Sequence, residues 1–85
     1  GISKLDLVTA ARIMQPLAAY TQANGPQDTA GWPVGKPGDK LNELVDLAVG
    51  TDHPILIAAD GRPVGVVTKR ALLRGIQGRD EERAA

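Results

Sequence analysis

The chain has 85 residues, with ten Lys and Arg balanced by ten Asp and Glu and a formal net charge of zero. That balance sets up no global field to gather nucleic acid or an anionic membrane. No apolar run approaches the roughly 20 residues that span a bilayer, so neither nucleic-acid binding nor direct membrane insertion is expected. The chain holds one Trp, one Tyr, no Phe and no Cys. Its core must therefore come from Val, Ile, Leu and Ala, without aromatic bulk or disulfides. A domain of this size buries only about 60% of its unfolded surface. With one His and no Cys a structural metal is a poor remedy, which leaves self-association. Gly1 stands where a Met would begin a natural chain, and Gly1 to Val8 lacks the apolar stretch of a signal peptide. The sequence reads as a piece of a longer polypeptide, compatible with the cytosol.

Residues 1–20 form a connecting segment. Leu5, Leu7 and Val8 suggest a short extended entry, and Thr9 is placed to cap a short helix from Ala10 to about Met14. Pro16 ends or kinks that helix, leaving Leu17 to Tyr20 open between a second helical turn and coil. Thr21 to Gly31 is polar and has no apolar period, with a turn signal at Asn24-Gly25-Pro26. It reads as a flexible loop.

From Trp32 the pattern is ordered. Trp32-Pro33-Val34 suggests a short edge strand, because Pro33 cannot donate to a ladder. Gly35 to Gly38 is a turn. Asp39 is the expected N-cap of a helix to about Val49, with Leu41, Leu44, Val45 and Ala48 on one stripe. Gly50 follows where a left-handed residue is wanted. Ile55 to Ala59 and Pro63 to Val67 are two strands joined by Asp60-Gly61, a dipeptide suited to the positive φ values of a tight hairpin. Thr68 then caps a last helix, Lys69 to about Gln77, with Leu72, Leu73 and Ile76 expected inward and Gly78 as its stop. Arg79 to Arg83 reads as a solvated charged tail over residues 79–85. The expected architecture is a small α/β (α+β) unit. Two helices pack on a three-stranded sheet in the order β-α-β-β-α, preceded by a short N-terminal helix.

That order, with Asp-Gly-Arg-Pro-Val-Gly-Val-Val-Thr at Asp60 to Thr68, resembles the cystathionine-β-synthase (CBS) motif over residues 32–78. The features that carry the likeness are the Asp-Gly hairpin, Gly65-Val66-Val67-Thr68 running into a helix, and His53-Pro54-Ile55 opening the second strand. Leu7 to Met14 and Leu47 to Ile55 are further similar to the segments around the CBS region in ATP-binding subunits of glycine betaine/proline ABC importers. The resemblance implies a cytoplasmic regulatory module, at the membrane's inner face if attached to its transporter. It would pair with another CBS motif as a homodimer and act on the parent transporter subunits. The chain lacks the phosphate-binding loop an ATPase needs.

CBS pairs commonly hold adenine nucleotides. By that likeness a phosphate would meet the start of the last helix, where free N–H groups and the dipole favour an anion. Thr68, Lys69 and Arg70 would assist it, and an adenine would lie against Ile55 and Val66. The plainer reading makes Thr68 a helix cap, Lys69 and Arg70 solvated charges, and Ile55 and Val66 core. One departure favours it: the carboxylate that grips the ribose in the nucleotide-binding version is replaced by Ala71. Each hydrogen bond to such a charge is worth roughly 1.5–3 kcal/mol, so AMP or ATP is disfavoured relative to a ligand such as cyclic di-AMP. No cofactor is otherwise expected. His53 has no companion ligands or catalytic partners, Asp60 is explained by its turn, and Trp32 reads as a core or interface anchor. Lys69, Arg70 and Arg74 form no continuous stripe. No dyad or triad supports acid–base or nucleophilic chemistry, so a non-catalytic role is expected.

Overall fold

A computed structural model describes residues 8–77 of the chain. In chain order these form α1 (Ala10–Ile13), β1 (Gln15–Pro16), α2 (Leu17–Asn24), β2 (Val34–Gly35), α3 (Leu41–Ala48), β3 (Ile55–Ala59), β4 (Arg62–Val67) and α4 (Lys69–Gln77). The expected entry strand at Leu5 and Leu7, the Gly78 stop and the 79–85 tail lie outside the described residues.

The hairpin of β3 and β4 is the organising unit. Asp60 takes φ 52° and Gly61 φ 77°, the pair of positive values that lets a two-residue turn follow the strand twist. The strands pair antiparallel, Ile55 opposite Val67 and Ala59 opposite Arg62, with a register shift between Ile57 and Ala58. β2 joins β3 in parallel, Val34 opposite Leu56, and sits at the edge as Pro33 requires. The sheet order is β1-β4-β3-β2.

The fourth strand corrects the three-stranded expectation. Pro16 does not simply stop a helix: Gln15 and Pro16 pair antiparallel with Val66 and Gly65. Gly65 permits the crossing, because a Cβ there would lie 2.6 Å from Met14 Sδ and 2.9 Å from the Gln15 carbonyl. The glycine of the Gly-Val-Val-Thr stretch is thus explained by a close approach of another strand.

Alternation along β3 and β4 divides the apolar residues between two faces. Ile55, Ile57 and Val67 meet Leu41, Leu44 and Leu72 of α3 and α4, together with Val8 and Ala10. Leu56 and Val66 face the other way and meet Trp32, with Leu17 and Tyr20 of α2 packed against them. The result is a small α+β domain with a mixed four-stranded sheet and helices on both faces.

Other local expectations are revised. Thr9 makes no side-chain cap bond; its backbone is extended and bridges Lys40 instead. Lys40, not Asp39, holds the N-cap position of α3. Asp39 Oδ2 accepts the Lys36 N–H at 2.9 Å, closing the preceding turn, while Glu43 Oε1 accepts the Lys40 N–H at 3.3 Å. A local turn competed for the Asp39 carboxylate and won. Thr21 to Asn24 continue α2 rather than opening a loop, with the Thr21 hydroxyl donating to the Leu17 carbonyl at 2.9 Å. The short strand begins at Val34, not Trp32. Gly50 has φ 86°, as expected after α3. In α4 only Leu72 turns inward; Leu73 is 58% and Ile76 39% exposed.

Candidate functional site

The hairpin register gathers the chemistry at one end of the sheet. Antiparallel pairing sets the residues before Ile55 beside those after Val67, and the parallel edge strand adds the residues before Val34. Thr51 to Pro54, Trp32 and Thr68 to Arg70 therefore converge there.

Thr68 is half-buried, and its Oγ1 accepts the Ala71 N–H at 3.1 Å. Its carbonyl accepts the Leu72 N–H at 3.0 Å. The hydroxyl thus satisfies one of the amide groups that open α4 and keeps its own proton for another acceptor. Lys69 Nζ lies 3.7 Å from Asp52 Oδ1, with side-chain exposures of 48% and 109%. So open a pair is screened by water and adds little stability, but it sets a carboxylate beside the start of α4, where an anion would have to compete with it. Arg70 is exposed.

Of the five residues singled out from the sequence, Thr68, Lys69 and Arg70 cluster at this helix start. Ile55 and Val66 do not join them as one wall. They are 2% and 1% exposed and belong to opposite faces of the sheet. Ile55 supports the helical face from beneath, and Val66 lies under Trp32 and α2. Ala71, where the resemblance would put a ribose-binding carboxylate, is half-buried.

Two features of this end were not picked out in the sequence. Asp52 was legible in principle, since a hairpin that pairs Ile55 with Val67 must carry Asp52 towards Lys69. The second is aromatic. Trp32 is 8% exposed, meets Tyr20 edge-on at 6.2 Å and stacks on His53 at 6.1 Å with 22° between the planes. The chain's Trp, Tyr and His thus form one cluster, and Trp32 is a core anchor. His53 is exposed, with its backbone N–H donating to Thr51 Oγ1 at 3.1 Å.

Two open grooves lie away from this end. One, of about 540 Å³, is lined by Val34 to Pro37 and by Ala58 to Gly61 at the hairpin turn. The other, of about 720 Å³, runs between α2 and β4, lined by Pro16, Leu17, Thr21, Pro63 and Val64. Among the described residues no three or more His, Cys, Asp and Glu side chains are grouped to hold a metal. No helix among them is long and apolar enough to cross a membrane. In comparisons with known proteins, no family model, curated protein or solved structure matches the chain.

Proposed function

We propose that this chain is a non-catalytic regulatory module of the CBS type, which works by pairing with a second copy. In the setting its sequence resembles, the pairing would bias an osmolyte-importing ABC transporter from the cytoplasmic side. The observation that carries the reading is the outer surface of α4. Leu73 and Ile76 are exposed at 58% and 39% on a helix that follows directly from an Asp-Gly hairpin, in a domain short of large core residues. Apolar side chains left in water by so small a core are what a second copy would cover.

A specific observation favours a ligand-free form of this reading over a nucleotide sensor. Ile55 and Val66 are buried on opposite faces, Ala71 supplies no carboxylate, and Asp52 sits beside Lys69. The pairing itself is then the output, tuned by salt through its exposed charges.

Sedimentation velocity across a wide concentration range tests the pairing, and a concentration-independent monomer mass defeats it. A thermal-shift panel of AMP, ATP and cyclic di-AMP separates the two forms. A ligand at a hundredfold excess over its Kd adds about 2.7 kcal/mol of stability, an obvious shift in Tm. The ligand-free form expects none. A shift abolished by Thr68→Ala with Lys69→Ala would restore the nucleotide form.

A further inference from the structure

α3 and α4 cover the same face of the sheet and pack on each other. Lys69, which opens α4, pairs with Asp52, just beyond the end of α3. Gly75, near the end of α4, lies against Leu41, which opens α3; a Cβ there would be 3.1 Å from Leu41 Cδ2. The two helices therefore run antiparallel, side by side, as a layer. Its inner side is the buried Leu41, Leu44 and Leu72.

The outer side is segregated by charge. α3 reads Leu-Asn-Glu-Leu-Val-Asp-Leu-Ala, with Glu43 and Asp46 and no basic residue. α4 reads Lys-Arg-Ala-Leu-Leu-Arg-Gly-Ile-Gln, with Lys69, Arg70 and Arg74 and no acidic residue. Asn42, Glu43 and Asp46 are exposed on α3, and Arg70, Leu73 and Arg74 on α4. Asp46, Arg70 and Arg74 make no ion pair among the described residues. Val49, just after α3, is 73% exposed. The surface is thus an acidic ridge of Glu43 and Asp46 beside a basic ridge of Arg70 and Arg74, with the exposed Leu73 on α4 and the exposed Val49 just past the end of α3.

Resting on the pairing reading above, we infer that this helical layer is the pairing surface and that α4 of one copy lies over α3 of the other. Two ways of stacking the layer on itself face to face preserve two-fold symmetry. A two-fold axis across the helices sets α4 on α4 and α3 on α3, so that Arg70 and Arg74 confront their own copies. An axis along the helices, between them, sets each basic ridge on an acidic one. The antiparallel register, with Gly75 beside Leu41, then brings Arg70 level with Asp46 of the second copy and Arg74 level with Asn42, one residue from Glu43. Opposite charges select the second arrangement and like charges reject the first. Because these charges sit near water, the association weakens as salt rises.

The test is an exchange of ridges, read by sedimentation velocity, with far-UV circular dichroism confirming the fold. Glu43→Lys with Asp46→Lys makes the whole layer basic; Arg70→Glu with Arg74→Glu makes it acidic. Each variant alone is expected to associate at least tenfold more weakly than the original chain. An equal mixture is expected to form a one-to-one heterodimer. If the basic variant does not fold, Glu43→Gln with Asp46→Asn replaces it, since the side-chain amide oxygen at position 43 can still accept the Lys40 N–H, and the same weakening is expected. Dimers of each variant as tight as the original would overturn this interface while leaving pairing intact. Two monomeric variants whose mixture stays monomeric would overturn the crossed arrangement. An original chain that is monomeric at every concentration and salt would remove the pairing reading itself.

Discussion

The two faces of the sheet are closed by different means. On one, α3 and α4 deliver Leu41, Leu44 and Leu72 onto Ile55, Ile57 and Val67, and Val8 and Ala10 seal the margin. Leu41, Leu44 and Ile57 have no exposed surface at all. On the other, Trp32, Leu56 and Val66 are covered by α2, which has no buried residue of its own and touches them through the half-buried Leu17 and Tyr20. The first face is an aliphatic interior of interlocking branched side chains. The second is one large ring under a light cover. Stability need not be uniform across such a domain, and local opening should begin where buried apolar contact is thinnest.

The strongest way to break this contrast is to empty the first face. Leu44→Ala or Ile57→Ala removes a fully buried side chain with little room for collapse, at a cost of about 2–5 kcal/mol. A domain of this size has only about 5 kcal/mol in total, so either variant should unfold in mild denaturant. Leu56→Ala on the α2 face should fall at the low end of that range, because α2 can settle into the space. Equal losses at Leu44 and Leu56, measured by urea midpoints at constant slope, would show the two faces to be energetically alike.

Next in size is Gly65→Ala, at about 1–3 kcal/mol for an over-packed contact. The added methyl meets both Met14 Sδ and the Gln15 carbonyl. Met14→Ala in the same chain should relieve the sulfur contact and leave the backbone one, so rescue should be partial. Complete rescue would mean that β1 is not seated as described. Thr68→Ala comes third. It leaves the Ala71 N–H without its acceptor and should cost about 1 kcal/mol, whereas Thr9→Ala, which removes no cap bond, should cost clearly less.

These contrasts also mark what the sequence could tell. The Asp60-Gly61 turn, both hairpin strands, the stripe of α3 and the span of α4 were legible, because each is dictated by neighbours within a few residues. β1 was not, because Gln15-Pro16 owes its strand character to Val66 and Gly65, some fifty positions away in the chain. α2 was half-legible: its residues carry almost no amphipathic signal, and its helix rests on local bonds such as Thr21 to Leu17. Leu73 and Ile76 misled because an apolar period reports which residues could be covered, not which of them a neighbouring element reaches. For the candidate site, Thr68, Lys69 and Arg70 could be placed together because they are consecutive. The separation of Ile55 from Val66 follows from strand alternation and the pairing of Ile55 with Val67, a signal already present in the hairpin.

The smallest expected effect is the most direct probe of the α2 face. Leu17→Ala trims a side chain that is only half-buried, so its cost to global stability should stay below about 1 kcal/mol. Its local consequence should be larger. α2 enters through Pro16, leaves through Gly25 at φ 83°, and buries no residue fully, so it can detach while α3 and α4 keep their packing. In native-state hydrogen exchange, the amides of α2 should already exchange faster than those of α4 in the unaltered chain. Leu17→Ala should widen that gap without moving the α4 rates by more than the global change. If α2 and α4 instead exchange at one common rate, and Leu17→Ala shifts both together, the domain opens as a single unit and the light cover is as firmly held as the aliphatic face.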